Sequence, residues 1–121
     1  MLVVEDNLVN QQVVRMMLTN LGVEADVAAN GQEALGMLAR GRYAAILMDC
    51  QMPVMDGYEA TRRLRAGGDT TPIIAVTANA LHGDRERVLA AGMNDYLSKP
   101  ISMEALRRAL APHCDSSAPR T

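Results

Sequence analysis

Five short apolar runs, separated by longer stretches whose apolar residues recur at helical spacing, constrain this chain more than any other feature. The runs cover residues 2–4, 24–29, 44–48, 73–76 and 95–97. A strand covered on both faces reads as a near-continuous hydrophobic run, and joining it to a parallel neighbour takes a crossover that a helix supplies. The alternation therefore predicts an α/β fold of five βα units, a parallel sheet with helices on both faces.

The helices are read from their spacing and their punctuation. Residues 8–21 carry Val9, Val13, Met17 and Leu21 at four-residue steps, which predicts a helix that buries this stripe and stops at Gly22. Asn30, with Glu33 three residues on, reads as an N-cap with a reciprocal acid, opening a second helix that Gly41 ends. Asp56 with Glu59 repeats the signal for a third, which stops at Gly67-Gly68. A weaker fourth helix runs from around His82 to Ala91 before Gly92, and Ser102 caps a fifth that Pro112 is expected to end. Periodicity is then lost, so residues 1–112 read as one domain and 113–121 as a tail or linker.

Composition closes off several classes of function. Lys+Arg 12 against Asp+Glu 14 leaves a net charge of -2, which gives no positive field for nucleic acid, and aromatic platforms for single strands are lacking with Trp 0 and Phe 0. No apolar run approaches the ~20 residues of a membrane span, and the start turns acidic too soon for a secretory signal. A soluble, cytoplasmic domain without membrane contact is expected, a longer parent being free to carry an anchor. Cys50 and Cys114 are far apart without a CxxC, so reduced thiols are expected.

In open α/β sheets the ligand site lies beyond the carboxyl ends of the strands. There the chain offers Glu5 and Asp6 after the first run, Asp49 after the third, Thr77 after the fourth and Lys99 after the fifth. Three converging carboxylates should either hold protons or bind a hard divalent cation such as Mg²⁺. The plainer reading of Glu5-Asp6 is a solvated helix entrance with Asp6 near the N-cap. Asp49 ends a wholly apolar run, and a carboxylate held that rigidly can attack a phosphoryl group to give an acyl phosphate; an Asp capping the next loop is the alternative. Lys99 is the only lysine, the other eleven cations being arginine, and a compact ammonium differs from a planar fork at a phosphate. Thr77 offers a hydroxyl to a phosphoryl oxygen, or is an ordinary strand-end threonine. Arg62, Arg63, Arg65, Arg107 and Arg108 read as solvated helix faces, Met52 and Met55 as packing of a loop on the core, and Cys50 as a bystander.

The runs Val3-Val4-Glu5-Asp6-Asn7, Leu47-Met48-Asp49-Cys50-Gln51-Met52-Pro53-Val54-Met55-Asp56-Gly57, Ala75-Val76-Thr77-Ala78 and Asp95-Tyr96-Leu97-Ser98-Lys99-Pro100 together resemble the receiver domain of two-component response regulators, over residues 1–112. The resemblance implies a doubly wound, flavodoxin-like three-layer sandwich with strand order 2-1-3-4-5. It makes Asp49 the acceptor of a phosphoryl group from a phosphohistidine on a histidine kinase or a histidine phosphotransfer domain. Mg²⁺ would be held by Asp6, Asp49 and the Gln51 carbonyl, with Glu5 helping, while Lys99 and Thr77 contact the phosphoryl oxygens. Gln51 and Asn79 would flank that group. Thr77 and Tyr96 would act as a switch that reshapes the face of the fourth helix, fifth strand and fifth helix. The Lys99-Pro100 bond is expected cis, and the partner is expected near Leu8, Gln11 and Gln12.

The runs Asn7-Leu8-Val9-Asn10-Gln11 and Asp49-Cys50-Gln51-Met52-Pro53 look most like receivers attached to hybrid sensor histidine kinases. An ATP-binding glycine motif and a dimerising histidine helix are missing, so the residues read as a non-enzymatic domain limited to its own phosphorylation and slow dephosphorylation. Two other classes compete. A Mg²⁺-dependent aspartyl-phosphate phosphatase would carry a second acid two residues after the first, where this chain has Gln51. A phosphorylation-independent interaction domain on the same fold would have no need of Glu5, Asp6, Asp49, Thr77 and Lys99 together.

Overall fold

The computed structural model describes residues 1–41, 43–50, 57–77, 84–98 and 101–114, the side chains of 84, 85 and 111–114 excepted. Strands and helices alternate along it: β1 (Leu2–Val4), α1 (Leu8–Asn20), β2 (Asp26–Ala28), α2 (Gly31–Arg40), β3 (Ile46–Asp49), α3 (Gly57–Ala66), β4 (Ile73–Thr77), α4 (Asp84–Ala91), β5 (Asp95–Ser98) and α5 (Met103–Cys114). The five strands form one parallel sheet in the order β2-β1-β3-β4-β5, a doubly wound, flavodoxin-like arrangement.

Alternation of side chains along each strand divides the core in two. Leu2, Val4, Ile46, Met48, Ile73 and Ala75 face a cluster with Ala34 of α2, Ala60 and Leu64 of α3 and Val88 of α4. Val3, Leu47, Ile74 and Val76 face the other way, onto Val14 and Leu18 of α1 and Leu106 and Leu110 of α5. The central strands β1, β3 and β4 are apolar up to the last residues of β3 and β4, Asp49 and Thr77, because neither face meets water, which is why they are legible as runs. Among the described residues, no helix is long and apolar enough to cross a membrane.

Helix ends follow their sequence signals, with some differences. The Asn30 side chain accepts from the Glu33 N–H at 2.9 Å, as expected. The reciprocal bond, however, goes from the Ala29 N–H to Glu33 Oε1, one residue before the cap. Gly22 and Gly92 take positive φ of 80° and 104° after α1 and α4, where a side chain would be strained. The helix-five expectation needs correcting: α5 runs two residues past Pro112, to Cys114. In a last turn the proline forfeits one backbone bond, a smaller loss than in mid-helix. The second strand is shorter than the 24–29 run, while β3, β4 and β5 reach one residue further than expected, taking in Asp49, Thr77 and Ser98.

The largest correction concerns α1. Its buried residues are Val14 and Leu18, while Val9 and Val13, placed by the four-residue stripe against the core, are 67% and 48% exposed. Each step of four residues advances about 40° around a helix of 3.6 residues per turn, so the stripe winds off the core. Met17 and Leu21, at its far end, do pack against the sheet.

Candidate functional site

The strand order reverses across β1 and β3: the chain leaves β1 for β2 on one side and later continues through β3, β4 and β5 on the other. A crevice opens at the carboxyl ends where this happens. The parallel register Val3↔Leu47, Val4↔Met48 sets Glu5 beside Asp49, and neighbouring strands lie ~4.8 Å apart. Both carboxylates keep the parity of Val3 and Leu47 and so fall on the α1 side of the sheet. They line, with Asn10, Val13, Val14 and Met17 of α1, a groove of about 320 Å³. Glu5 and Asp49 are buried, 5% and 3% exposed. Asp6 is exposed at the rim, and one oxygen from each of Glu5, Asp6 and Asp49 lies within 4.8 Å of the other two.

Local bonding fixes this cluster. The Glu5 N–H donates to the Ala28 carbonyl at 3.0 Å, continuing the β1–β2 ladder beyond the strand. Gln11 Nε2 donates to the Glu5 carbonyl at 2.7 Å, and the Asn7 N–H donates to Glu5 Oε2 at 3.1 Å. Asn7 is the N-cap of α1, its Oδ1 accepting from the N–H groups of Val9 and Asn10. The reading of Asp6 as a cap is therefore replaced: Asn7 takes that position and leaves the Asp6 carboxylate to the cluster. Asp49 is held by β3 itself, and the next residue prolongs the ladder, the Cys50 N–H donating to the Val76 carbonyl at 3.0 Å.

Thr77 is buried at the end of β4, one register step past Val76, which faces Asp49. Its own partner across β5 is Ser98, the residue before Lys99. Tyr96 is half-buried on β5 and packs on the opposite face of the sheet, against the α2, α3 and α4 core. Gln51, Asn79, Lys99 and the Lys99-Pro100 bond lie outside the described residues, as do Met52, Met55, Asp56 and His82. Glu5, Asp6 and Asp49 are thus the sequence-named residues brought into one cluster. Asn7 and Gln11, which hold Glu5, carried a legible signal only in part: an Asn directly before an apolar helical run is a cap candidate, whereas nothing in the spacing marks Gln11 as a clasp for a carbonyl.

The donor set is chemically uniform. All three ligand groups are carboxylates, two of them removed from water, and oxygen-only sites of this kind suit hard divalent cations. A cation also relieves the mutual repulsion of like charges packed this closely. The cluster fits Mg²⁺ by that criterion.

The chain matches the response regulator receiver domain over residues 1–111, and it belongs to that family. Sensor histidine kinase RcsC of Salmonella typhi is 40% identical over 114 residues, which are 94% of this chain and 12% of that protein. The chain therefore spans a small part of such relatives. The receiver domain of sensor histidine kinase PA1611 from Pseudomonas aeruginosa PAO1, solved with a magnesium ion coordinated in the active site cleft, is 53% identical. It superposes with a TM-score of 0.85, covering 94% of this chain and 95% of that one. A chain of the co-crystal of the Saccharomyces cerevisiae histidine phosphotransfer protein Ypd1 with the receiver domain of its downstream response regulator Ssk1 is 32% identical. Its TM-score is 0.88, with 97% and 89% covered.

Proposed function

We propose that this receiver domain takes a phosphoryl group from a phosphohistidine onto Asp49, within a phosphorelay whose partner is a histidine kinase or a histidine phosphotransfer domain. The observation that carries the reading is the buried Asp49 carboxylate, fixed at the end of β3 and within 4.8 Å of two further carboxylates. An Asp49 oxygen attacks phosphorus, the P–N bond breaks, and its electron pair returns to the imidazole. In-line transfer of this kind needs alignment and charge neutralisation more than covalent help.

Asp6, Asp49 and the Gln51 carbonyl are the groups we assign to Mg²⁺, with Glu5 assisting directly or through water. The ion, when bound, supplies positive charge to the equatorial phosphoryl oxygens. Lys99 adds an ammonium and Thr77 a hydroxyl on the same oxygens, and Thr77 with Tyr96 forms the switch that conveys the modification to the α4, β5 and α5 face. Gln51 stands where a phosphatase of similar chemistry carries its second acid, and a side-chain amide is no general base for water. We therefore read the chain as a signalling domain that is modified once and hydrolyses slowly, not as a turnover enzyme.

Residues 1–112 form the receiver unit in this reading and 113–121 a tail or linker, whose first two residues continue α5 to Cys114. Likeness to sensor histidine kinase RcsC and to the PA1611 receiver supports a parent of the hybrid sensor histidine kinase kind, and we place the receiver on the cytoplasmic side of such a parent. Intact mass spectrometry after incubation with acetyl phosphate and Mg²⁺ tests the core of the proposal. The parent should gain the mass of one phosphoryl group and Asp49→Asn none; modification of Asp49→Asn to the same extent would overturn it.

A further inference from the structure

The contact that seats α3 on the end of β3 gives one residue a part in phosphoryl acceptance that its lack of a side chain conceals. Gly57 opens α3, and its N–H donates to the Cys50 carbonyl at 3.2 Å. A Cβ on Gly57 would stand 2.5 Å from the Asp49 carbonyl oxygen, 2.9 Å from Met48 Cγ and 3.1 Å from Cys50 Cα. Two of those three neighbours are backbone atoms, of the last residue of β3 and the residue after it, which cannot swing aside as a side-chain end does. The helix start thus rests directly on the peptide of Asp49.

The seat is locked from the other side as well. Thr61, 0% exposed, donates its hydroxyl to the Gly57 carbonyl at 2.8 Å. The Asp49 peptide is therefore pinned between the ladder to β4, through Cys50 N–H to Val76, and the first turn of α3. Because Gln51 follows Cys50 in the chain, the same contact also bounds the segment that begins with the proposed carbonyl ligand.

We infer that Gly57 is a positioning residue for Asp49: its bare Cα lets α3 abut the acceptor's own backbone and so sets the direction of the attacking carboxylate. The inference rests on the proposed acceptor role of Asp49. Adding one methyl group must push α3 and the Asp49 peptide apart, and displacements of about 1 Å at a reacting group can cost on the order of a hundredfold in rate.

The experiment compares the parent with Gly57→Ala, Thr61→Val and Leu64→Ala. Three quantities are read: the urea midpoint, the dissociation constant for Mg²⁺ alone by calorimetry, and the rate of Asp49 modification at saturating Mg²⁺ and acetyl phosphate by intact mass. Leu64 is buried on the same helix, seven residues and about two turns beyond Gly57, so its truncation weakens the core about 10 Å along α3 from the Gly57 contact with the Asp49 peptide. Gly57→Ala should slow modification by about tenfold or more while Leu64→Ala, at an equal or lower urea midpoint, stays within about twofold of the parent. Equal rates in Gly57→Ala and the parent, or losses in Gly57→Ala and Leu64→Ala that follow stability alike, would overturn the positioning role. Should Gly57→Ala not fold, Thr61→Val decides: it removes the lock on the Gly57 carbonyl at nearly constant volume, and its rate should fall by about threefold at saturating Mg²⁺. An unchanged rate there rejects the inference. A parent left unmodified at Asp49 would instead reject the acceptor reading itself.

Discussion

The carboxylate proposed to accept the phosphoryl group sits on a backbone with little freedom. Asp49 is the last residue of a strand buried on both faces, and Glu5 is set beside it by register and held there by Asn7 and Gln11. In the proposed reaction a contrasting demand falls on Lys99, the only lysine of a chain that otherwise uses arginine. An ammonium is a compact charge that can follow a phosphoryl oxygen as bonds change, whereas a guanidinium imposes a planar fork. Lys99→Arg should therefore keep the net charge and the fold but slow acetyl phosphate modification by about tenfold or more, read by intact mass against the parent. Parity of the two rates would show that charge alone suffices. Far from the site, Tyr43 gives a residue-level test of the β2 edge. Its hydroxyl donates to Asp26 Oδ2 at 2.8 Å, and this bond, then burial, hold the phenol pKa above its ordinary value. The folded state keeps the proton longer than the unfolded chain, so the contribution is whole below the ordinary phenol range and is lost as pH rises through the folded value. The urea midpoint of the parent should accordingly fall more steeply than that of Tyr43→Phe above about pH 10.

Among the elements, Arg65 shows what residue type and spacing leave unsaid. It sits in a run with Arg62 and Arg63, both exposed and paired to Glu59, the latter at 2.9 Å, and by sequence all three belong to one solvated face. Only two of them do. Arg65 Nε donates to the Gly92 carbonyl, Nη1 to the carbonyls of Asp69 and Thr71, and Nη2 to Asn94 Oδ1, each at 2.9 to 3.0 Å. Asn94 Oδ1 in turn accepts from the Ile73 N–H. One guanidinium thus ties the end of α3, the start of β4 and the α4–β5 corner, and partial burial lowers its pKa without discharging it. Arg65→Ala should lower stability by about 2 kcal/mol in urea titration, and Arg65→Lys, with one nitrogen for four acceptors, should recover only part of it. An Arg65→Ala midpoint equal to the parent's would show that water replaces the clamp. The strands were legible in the sequence because a doubly covered sheet confines polar residues to strand ends and edge strands, leaving apolar runs between them. The α1 face was not, since a stripe of four-residue steps is oblique to the axis and only its far end reached the core. The acidic cluster was legible from strand ends alone, while Arg65 and Gly57 act through carbonyls and close approach, which residue patterns do not encode.

For the molecule as a whole, the oblique stripe has a consequence. Leu8, Val9, Val13 and Met16 are all exposed on α1, 72% and 66% for the first and last, and Arg15 is the sole charged residue of that helix. The helix starts two residues after Asp6, so an uncharged apolar surface adjoins the acidic crevice. A small phosphodonor has no use for such a surface. In the proposed relay a protein donor does: it has to bring a phosphohistidine to Asp49 and hold it there, and apolar area beside the crevice would supply contact that the acidic cluster, repelling a phosphate on its own, does not. The two kinds of donor therefore separate docking from chemistry. Introducing a charge on this exposed face, as in Met16→Glu, should slow transfer from a phosphorylated histidine phosphotransfer protein by about tenfold or more, because a desolvated acid replaces a thioether buried at the contact. The same variant should take phosphate from acetyl phosphate at the parent's rate within about twofold, since nothing at Asp49 has moved. If both donors slowed together, α1 would be acting through the fold rather than as a dock; if neither slowed, the partner would have to approach the crevice from the β4 and β5 side instead.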